Sequence, residues 1–196
     1  MERKERILVE GIRLFADGQY FLRAMKPQDA ALRLDFFVRN RAALEPFMPT
    51  IPAADYTLAR QRQILIKGYQ DMQEDRRYLF GIFSAQVGQG GMLLGYVNLN
   101  NVIRGAFHSC DIGYGVDRNR TGQGIMTASV REVCDLAFSV LHLHRIQAAI
   151  IPSNKASLRV VEKAGFERIG LSRRYLKIHG FYQDHVLLAK VTADTE

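Results

Sequence analysis

The chain has two cysteines, Cys110 and Cys134, too few and too widely spaced for a disulfide framework or a paired metal motif. Both read as small core residues, Cys110 on a strand and Cys134 on a helix, although a thiol beside Asp111 could in principle carry an acyl group. The five histidines, His108, His142, His144, His179 and His185, form no ligand spacing, so no metal is expected. No apolar run approaches the roughly 18 to 20 residues needed to cross a bilayer. The start, Met1-Glu2-Arg3-Lys4-Glu5-Arg6, lacks the apolar centre of a signal peptide, which points to a cytoplasmic protein with no membrane partner. Internal repeats and low-complexity segments are also missing.

What is present suits one domain. The 196 residues are 47% hydrophobic, enough for a core. Lysine and arginine number 27 against 20 aspartate and glutamate, a net charge of +7. The basic residues are scattered and no zinc-finger or RNA-recognition motif accompanies them, so specific nucleic-acid binding is not expected. A basic surface serves equally well to attract an anionic cofactor.

Arg6 to Phe15 and Tyr20 to Met25 read as strands around Asp17-Gly18, a hairpin signal. Pro27 opens a helix with Ala30, Leu34, Phe37 and Val38 on one face, and Pro46, Pro49 and Pro52 end it. A second helix is expected over Tyr56 to Glu74, with Leu58, Ile64, Leu65, Tyr69 and Met72 as its apolar stripe. Tyr78 to Ala85 and Met92 to Asn100 form a hairpin whose connection, Val87-Gly88-Gln89-Gly90-Gly91, has no helix after it and is read as a turn. A further strand over Ala106 to Val116 completes a meander.

The richest stretch is Tyr114 to Phe166. The apolar run Ile112-Gly113-Tyr114-Gly115-Val116 leads into Asp117-Arg118-Asn119-Arg120-Thr121-Gly122-Gln123-Gly124, and a helical pattern runs from Ile125 to Leu141. Glycines there let the backbone turn tightly, and unpaired N–H groups at a helix start favour an anion. Arg118 and Arg120 add positive charge at the mouth. No Lys-Ser/Thr follows, which disfavours a Walker-type nucleotide site. Downstream, Arg145 to Ile151 reads as a strand, Pro152-Ser153-Asn154-Lys155-Ala156-Ser157 as a loop, and Leu158 to Lys163 as a helix closed by Gly165-Phe166.

These two segments resemble the acetyl-CoA-binding core of the GNAT acetyltransferases, whose turn signature is filled here by Asn119-Arg120-Thr121-Gly122-Gln123-Gly124 with Asn at the first position. The C-terminal run Arg174 to Leu188 resembles the closing hairpin of RimJ/RimL-type enzymes. Arg41 to Pro49 and Asp111-Ile112-Gly113-Tyr114 resemble that group's early helix-to-loop segment and its Glu-Ile-Gly-Tyr strand. The likeness spans about Tyr20 to Lys190.

The resemblance implies an α/β (α+β) fold. It comprises one N-acetyltransferase domain over residues 1–196, with its core over about 20–190 and an N-terminal strand or hairpin extension. A mixed, mostly antiparallel sheet flanked by helices would splay between the strand ending at Val116 and that starting at Arg145. It implies acetyl-CoA as cosubstrate, held by Tyr114, Val116, Asn119, Arg120, Thr121, Gly122, Gln123, Gly124, Ile125, Asn154 and Ser157. The Tyr114 or Val116 N–H would polarise the thioester carbonyl. Asn154 would meet the pantetheine amides or cap its helix. Asp111 stands where the family has its strand acid and is the candidate base; Ser157 is the candidate acid, and Val161 stands where many relatives place a tyrosine. Tyr175, Tyr182 and Asp184, with His185, lie on the hairpin beside the implied acceptor groove, Asp184 also as an alternative base.

An α-amino group, with an unperturbed pKa near ~7.7 to 8.0, asks less of a base than lysine at ~10.4. The acceptor expected is a protein N-terminus, as on a ribosomal protein, with the ribosome as a wider partner. A small amine (antibiotic, polyamine or amino acid) and a non-catalytic CoA-binding sensor remain alternatives, and the resemblance allows a homodimer.

Overall fold

The computed structural model describes residues 12–14, 19–84 and 91–192. The Asp17-Gly18 turn, most of the first expected strand and residues 85–90 of the Gly-rich connection lie outside the described residues. Among the described residues eight strands form one sheet in the order β1-β2-β3-β4-β5-β6-β8-β7. They are β1 (Ile12–Leu14), β2 (Tyr20–Ala24), β3 (Tyr78–Ser84), β4 (Leu93–Ile103), β5 (Ser109–Val116), β6 (Arg145–Ile150), β7 (Glu167–Ile178) and β8 (Phe181–Val191). The helices are α1 (Ala30–Arg39), α2 (Arg41–Leu44), α3 (Leu58–Gln73), α4 (Ile125–Ser139) and α5 (Lys155–Lys163).

The sheet divides the core in two. β3 is buried along almost its whole length because its alternate side chains feed opposite faces. Tyr78, Phe80 and Ile82 join a large cluster with α4 and α5, while Leu79 and Phe83 join a smaller one with Phe36, Phe37 and Leu65 from α1 and α3. The expected apolar stripes shift accordingly. Val38 on α1 and Leu58 and Tyr69 on α3 are exposed, and Gln61, Leu65 and Gly68 form the buried side of α3. Gly68 is there because Leu79 presses so close that an added Cβ would lie 2.3 Å from its side chain.

Every adjacent pair is antiparallel except β5 and β6, which are parallel and joined by the α4 crossover. That parallel pairing covers only Ser109↔Arg145, Cys110↔Ile146 and Asp111↔Gln147. Beyond it β5 continues beside β4 to Val116, and β6 continues beside β8 to Ile150. The sheet therefore opens into a wedge with unpaired backbone on both sides, as the expected splay requires.

Candidate active site

A cleft of ≈ 1470 Å³ occupies the wedge and reaches both faces of the sheet. On one face it is lined by Tyr114, Val116, Ile125, Met126, Asn154 and Ser157; on the other by Tyr96, Asn98, Asn100, Asp111, Gly113 and Gly115. Strand register explains the division. Tyr96↔Gly115, Asn98↔Gly113 and Asn100↔Asp111 are directly opposed and share a face, whereas Tyr114 and Val116 alternate to the other.

The same alternation orients the backbone. The N–H of Asp117 donates to the Leu94 carbonyl of β4 at 2.8 Å. The N–H and C=O groups of Tyr114 and Val116 consequently point the other way, into the gap that β6 leaves open.

At the end of β5 the chain makes a single-turn 3-10 helix, Arg118–Arg120, and then enters α4. Gly122 and Gly124 take φ of 76° and 77°, left-handed values that side chains disfavour. Among the described residues nothing lies within 4 Å of where a Cβ on either would stand, so the turn is bare on its outer side. The first N–H groups of the 15-residue α4 have no acceptor within the helix and face that bare turn. Arg118, Arg120, Thr121, Gly122, Gly124 and Ile125 all line the cleft; Asn119 and Gln123 do not. Gln123 instead donates through Nε2 to the Asn119 carbonyl at 3.4 Å.

The turn is anchored by residues that the sequence did not single out. Buried Asp117 accepts from the Asn119 N–H at 2.8 Å and from the Arg39 guanidinium. Asn40 Oδ1 accepts from the Arg118 N–H at 2.9 Å, and Asn40 Nδ2 donates to Phe36 O at 2.9 Å. Burial opposes the charge of Asp117, but the Asn119 N–H and Arg39 outweigh it and hold its carboxyl below the usual range. An Asp before a turn with αL glycines is a recognisable local signal. Its partners on α1 are too far away in sequence to be read.

Across the wedge, Asn154 is the N-cap of α5, its Oδ1 accepting from the Ser157 N–H at 3.1 Å. Asn154 thus does the capping and Ser157 is released from it. The Ser157 Oγ lies 2.7 Å from the Tyr114 hydroxyl, which also lies 2.9 Å from the Ser157 carbonyl. Burial pushes the Tyr114 phenol well above its ordinary pKa against a smaller opposing effect of Ser157, so it stays protonated.

Asp111, the last β5 residue paired with β6, lies at the closed end of the wedge on the opposite face, its Oδ2 accepting from Asn101 Nδ2 at 2.8 Å. Asn101 stands in a left-handed bulge of β4, with φ of 51°. The hairpin brings Tyr175 and His185 to the cleft, their rings 5.7 Å apart. Tyr182 and Asp184 alternate to the other face of β8 and are not in its lining. Asp184 accepts from the Arg174 N–H at 2.9 Å, supporting a left-handed residue (φ 49°) at a β7 irregularity.

Among the described residues no cluster of three or more His, Cys, Asp or Glu could hold a metal, and no helix is long and apolar enough to cross a membrane.

The pattern described as an acetyltransferase (GNAT) domain matches residues 19–167. The Bacillus subtilis (strain 168) protein named "Probable N-acetyltransferase YjcK" is 39% identical over 90% of this chain and 96% of its own. The [Ribosomal protein uS5]-alanine N-acetyltransferase of Escherichia coli (strain K12) is 30% identical over 95% of this chain and 94% of its own. The crystal structure of the ribosomal-protein-S5-alanine acetyltransferase from Vibrio fischeri superposes with a TM-score of 0.85 at 32% identity, covering 90% of this chain and 94% of that one. RimJ of Mycobacterium smegmatis, solved in complex with CoA-disulfide, gives a TM-score of 0.80 at 31% identity, covering 88% and 81%.

Proposed function

The chain belongs to the GNAT acetyltransferase family and is an N-acetyltransferase, and from that premise we propose that it acetylates the N-terminal α-amino group of a protein such as a ribosomal protein. We read residues 1–196 as a single domain for this purpose. The observation that carries the substrate is the match, over nearly the full length of both chains, to relatives named as acetyltransferases of a ribosomal protein's alanine.

The bare αL turn at Gly122 and Gly124, the start of α4 and the flanking arginines fit a pyrophosphate. The open edges of β5 and β6 fit an extended pantetheine arm, which would pair as an added strand. Bound there, acetyl-CoA supplies an acetyl group on a thioester. The Tyr114 and Val116 N–H groups polarise the carbonyl oxygen. Asn154 has no partner for its Nδ2 among the described residues and can donate it to an amide carbonyl, while its Oδ1 caps the helix. Asp111, on the acceptor face, takes the proton that the acceptor's ammonium must shed. Ser157, on the other face, holds a proton at Oγ for the departing sulfur and regains one through solvent as the nitrogen sheds its second proton and the amide forms. Tyr175 and His185 wall the acceptor side.

The test is thiol release from acetyl-CoA with peptides beginning Ala or Ser, beside spermidine and an aminoglycoside, followed by mass mapping of the acetyl group. Acetylation at the peptide α-amine, lost in Ser157→Ala, is expected. Turnover confined to the small amines would move the substrate, and CoA binding with no turnover would make the protein a sensor.

A further inference from the structure

Among the described residues the Ser157 hydroxyl has a single protein partner, the hydroxyl of Tyr114 at 2.7 Å. The Tyr114 oxygen has two neighbours on Ser157, this Oγ and the main-chain carbonyl at 2.9 Å. One phenolic proton cannot serve both fully. Donated to the carbonyl, it leaves the phenol oxygen as acceptor, and the serine O–H then turns back toward Tyr114. Donated to Oγ, it leaves the serine proton free to point into the cleft.

Resting on the reading of Ser157 as proton donor, we propose that Tyr114 is a positioning residue whose hydroxyl donates to Ser157 Oγ and turns the serine proton toward the departing sulfur. Its placement suits the task. The ring packs against the main core from β5, on one wall of the wedge, and its hydroxyl reaches α5 on the other. The Ser157 N–H is fixed by Asn154 Oδ1, so Oγ is set from two directions. As Ser157 gives up its proton, Oγ gains negative charge, and a neutral donor already at 2.7 Å binds it more strongly than it binds the resting hydroxyl. Burial keeps the phenol protonated for this role.

The experiment is a double-mutant cycle on the full chain with Tyr114→Phe, Ser157→Ala and the double variant, read by thiol release with acetyl-CoA and an Ala-initiated peptide. Tyr114→Phe keeps the ring and removes only the hydroxyl. We expect its kcat to fall roughly tenfold, less than the ~10²- to 10⁴-fold typical of losing the proton donor itself, with the KM for acetyl-CoA unchanged within about twofold. Ser157→Ala should lose more, and the double variant should match Ser157→Ala, because Tyr114 acts only through Oγ. 3-Fluorotyrosine at position 114, which keeps ring and hydroxyl, should restore kcat and covers the case in which Phe disturbs folding. An active wild type whose Tyr114→Phe variant has the same kcat, or losses that multiply in the double variant, overturns the proposal alone. A wild type that binds acetyl-CoA and acetylates no amine overturns the proposal together with the reading beneath it.

Discussion

The backbone N–H of Arg118 donates to Asn40 Oδ1 at 2.9 Å, tying the Gly-bearing turn to the end of a helix 78 residues earlier. Asp117 reinforces the tie by accepting from Asn119 and Arg39. Asp117→Ala should therefore loosen the turn without touching the cleft's chemistry, costing about 1.5 to 3 kcal/mol as a charged hydrogen-bond acceptor is removed. The folded-state carboxyl titrates below its ordinary 3.8, so its stabilisation is complete above that value and disappears as pH falls through the lowered one. Urea denaturation of both proteins at pH 7 and at about pH 3 checks this: the gap should be wide at neutral pH and narrow in acid.

Gly124 holds φ of 77° at the start of α4 with open space outside it. Gly124→Ala meets no atom of the described residues, so its cost is conformational, about 1 to 2 kcal/mol. Relaxing that strain would tilt the first N–H groups of α4 away from the bare turn. Thermal melts with and without CoA should show a lower Tm and a smaller CoA-induced rise than in wild type. An unchanged rise would mean that the pyrophosphate is held elsewhere.

Local patterns carried much of this to the reader of the sequence, and long-range register carried the rest. Gly-x-Gly before an amphipathic helix marked the turn because αL glycine and helix-start chemistry are local. Asn154 and Ser157 were legible through the family resemblance of their Asn-x-x-Ser run, although only the structure separates the capping residue from the hydroxyl that faces Tyr114. The anchor through Arg39 and Asn40 left no mark, since nothing near Asp117 names a partner on α1. The hairpin shows the same limit. Which of Tyr175, Tyr182, Asp184 and His185 reach the cleft depends on the register of β7 against β8 and on the irregularity between Ser172 and Leu176. The outward-facing Val38, Leu58 and Tyr69 mark where helical periodicity exceeded the width of the buried stripe.

Asn101 donates to Asp111 at 2.8 Å from a left-handed bulge position and, among the described residues, leaves the second carboxylate oxygen free of side-chain hydrogen bonds. Asp111→Ala should lower kcat about 10²-fold or more if the carboxylate is the base. Asn101→Ala should cost much less and act through Asp111, so the two losses should not multiply. Steady-state rates with an Ala-initiated peptide decide it. Equal kcat in wild type and Asp111→Ala would shift the base to another group.

Cys110 decides between direct transfer and a covalent acyl-enzyme. It neighbours Asp111 in sequence, but alternation along β5 sends its side chain into the main core, where it is 2% exposed. Burial, with the nearby Asp111 carboxylate adding to it, pushes the thiol up to about 12. At neutral pH the thiol therefore stays protonated, whereas the thiolate is the form that attacks a thioester. Cys134 on α4 is buried and likewise pushed up to about 12. Transfer should therefore run directly from acetyl-CoA to the amine within a ternary complex. Initial-rate plots against both substrates should intersect, and Cys110→Ala should keep kcat within about threefold while losing about 1 kcal/mol of stability from a small cavity. Iodoacetamide at pH 8 should leave both thiols of the native protein unmodified and label both in urea. Parallel initial-rate plots together with an inactive Cys110→Ala variant would instead mean that the strand opens to expose the thiol during turnover.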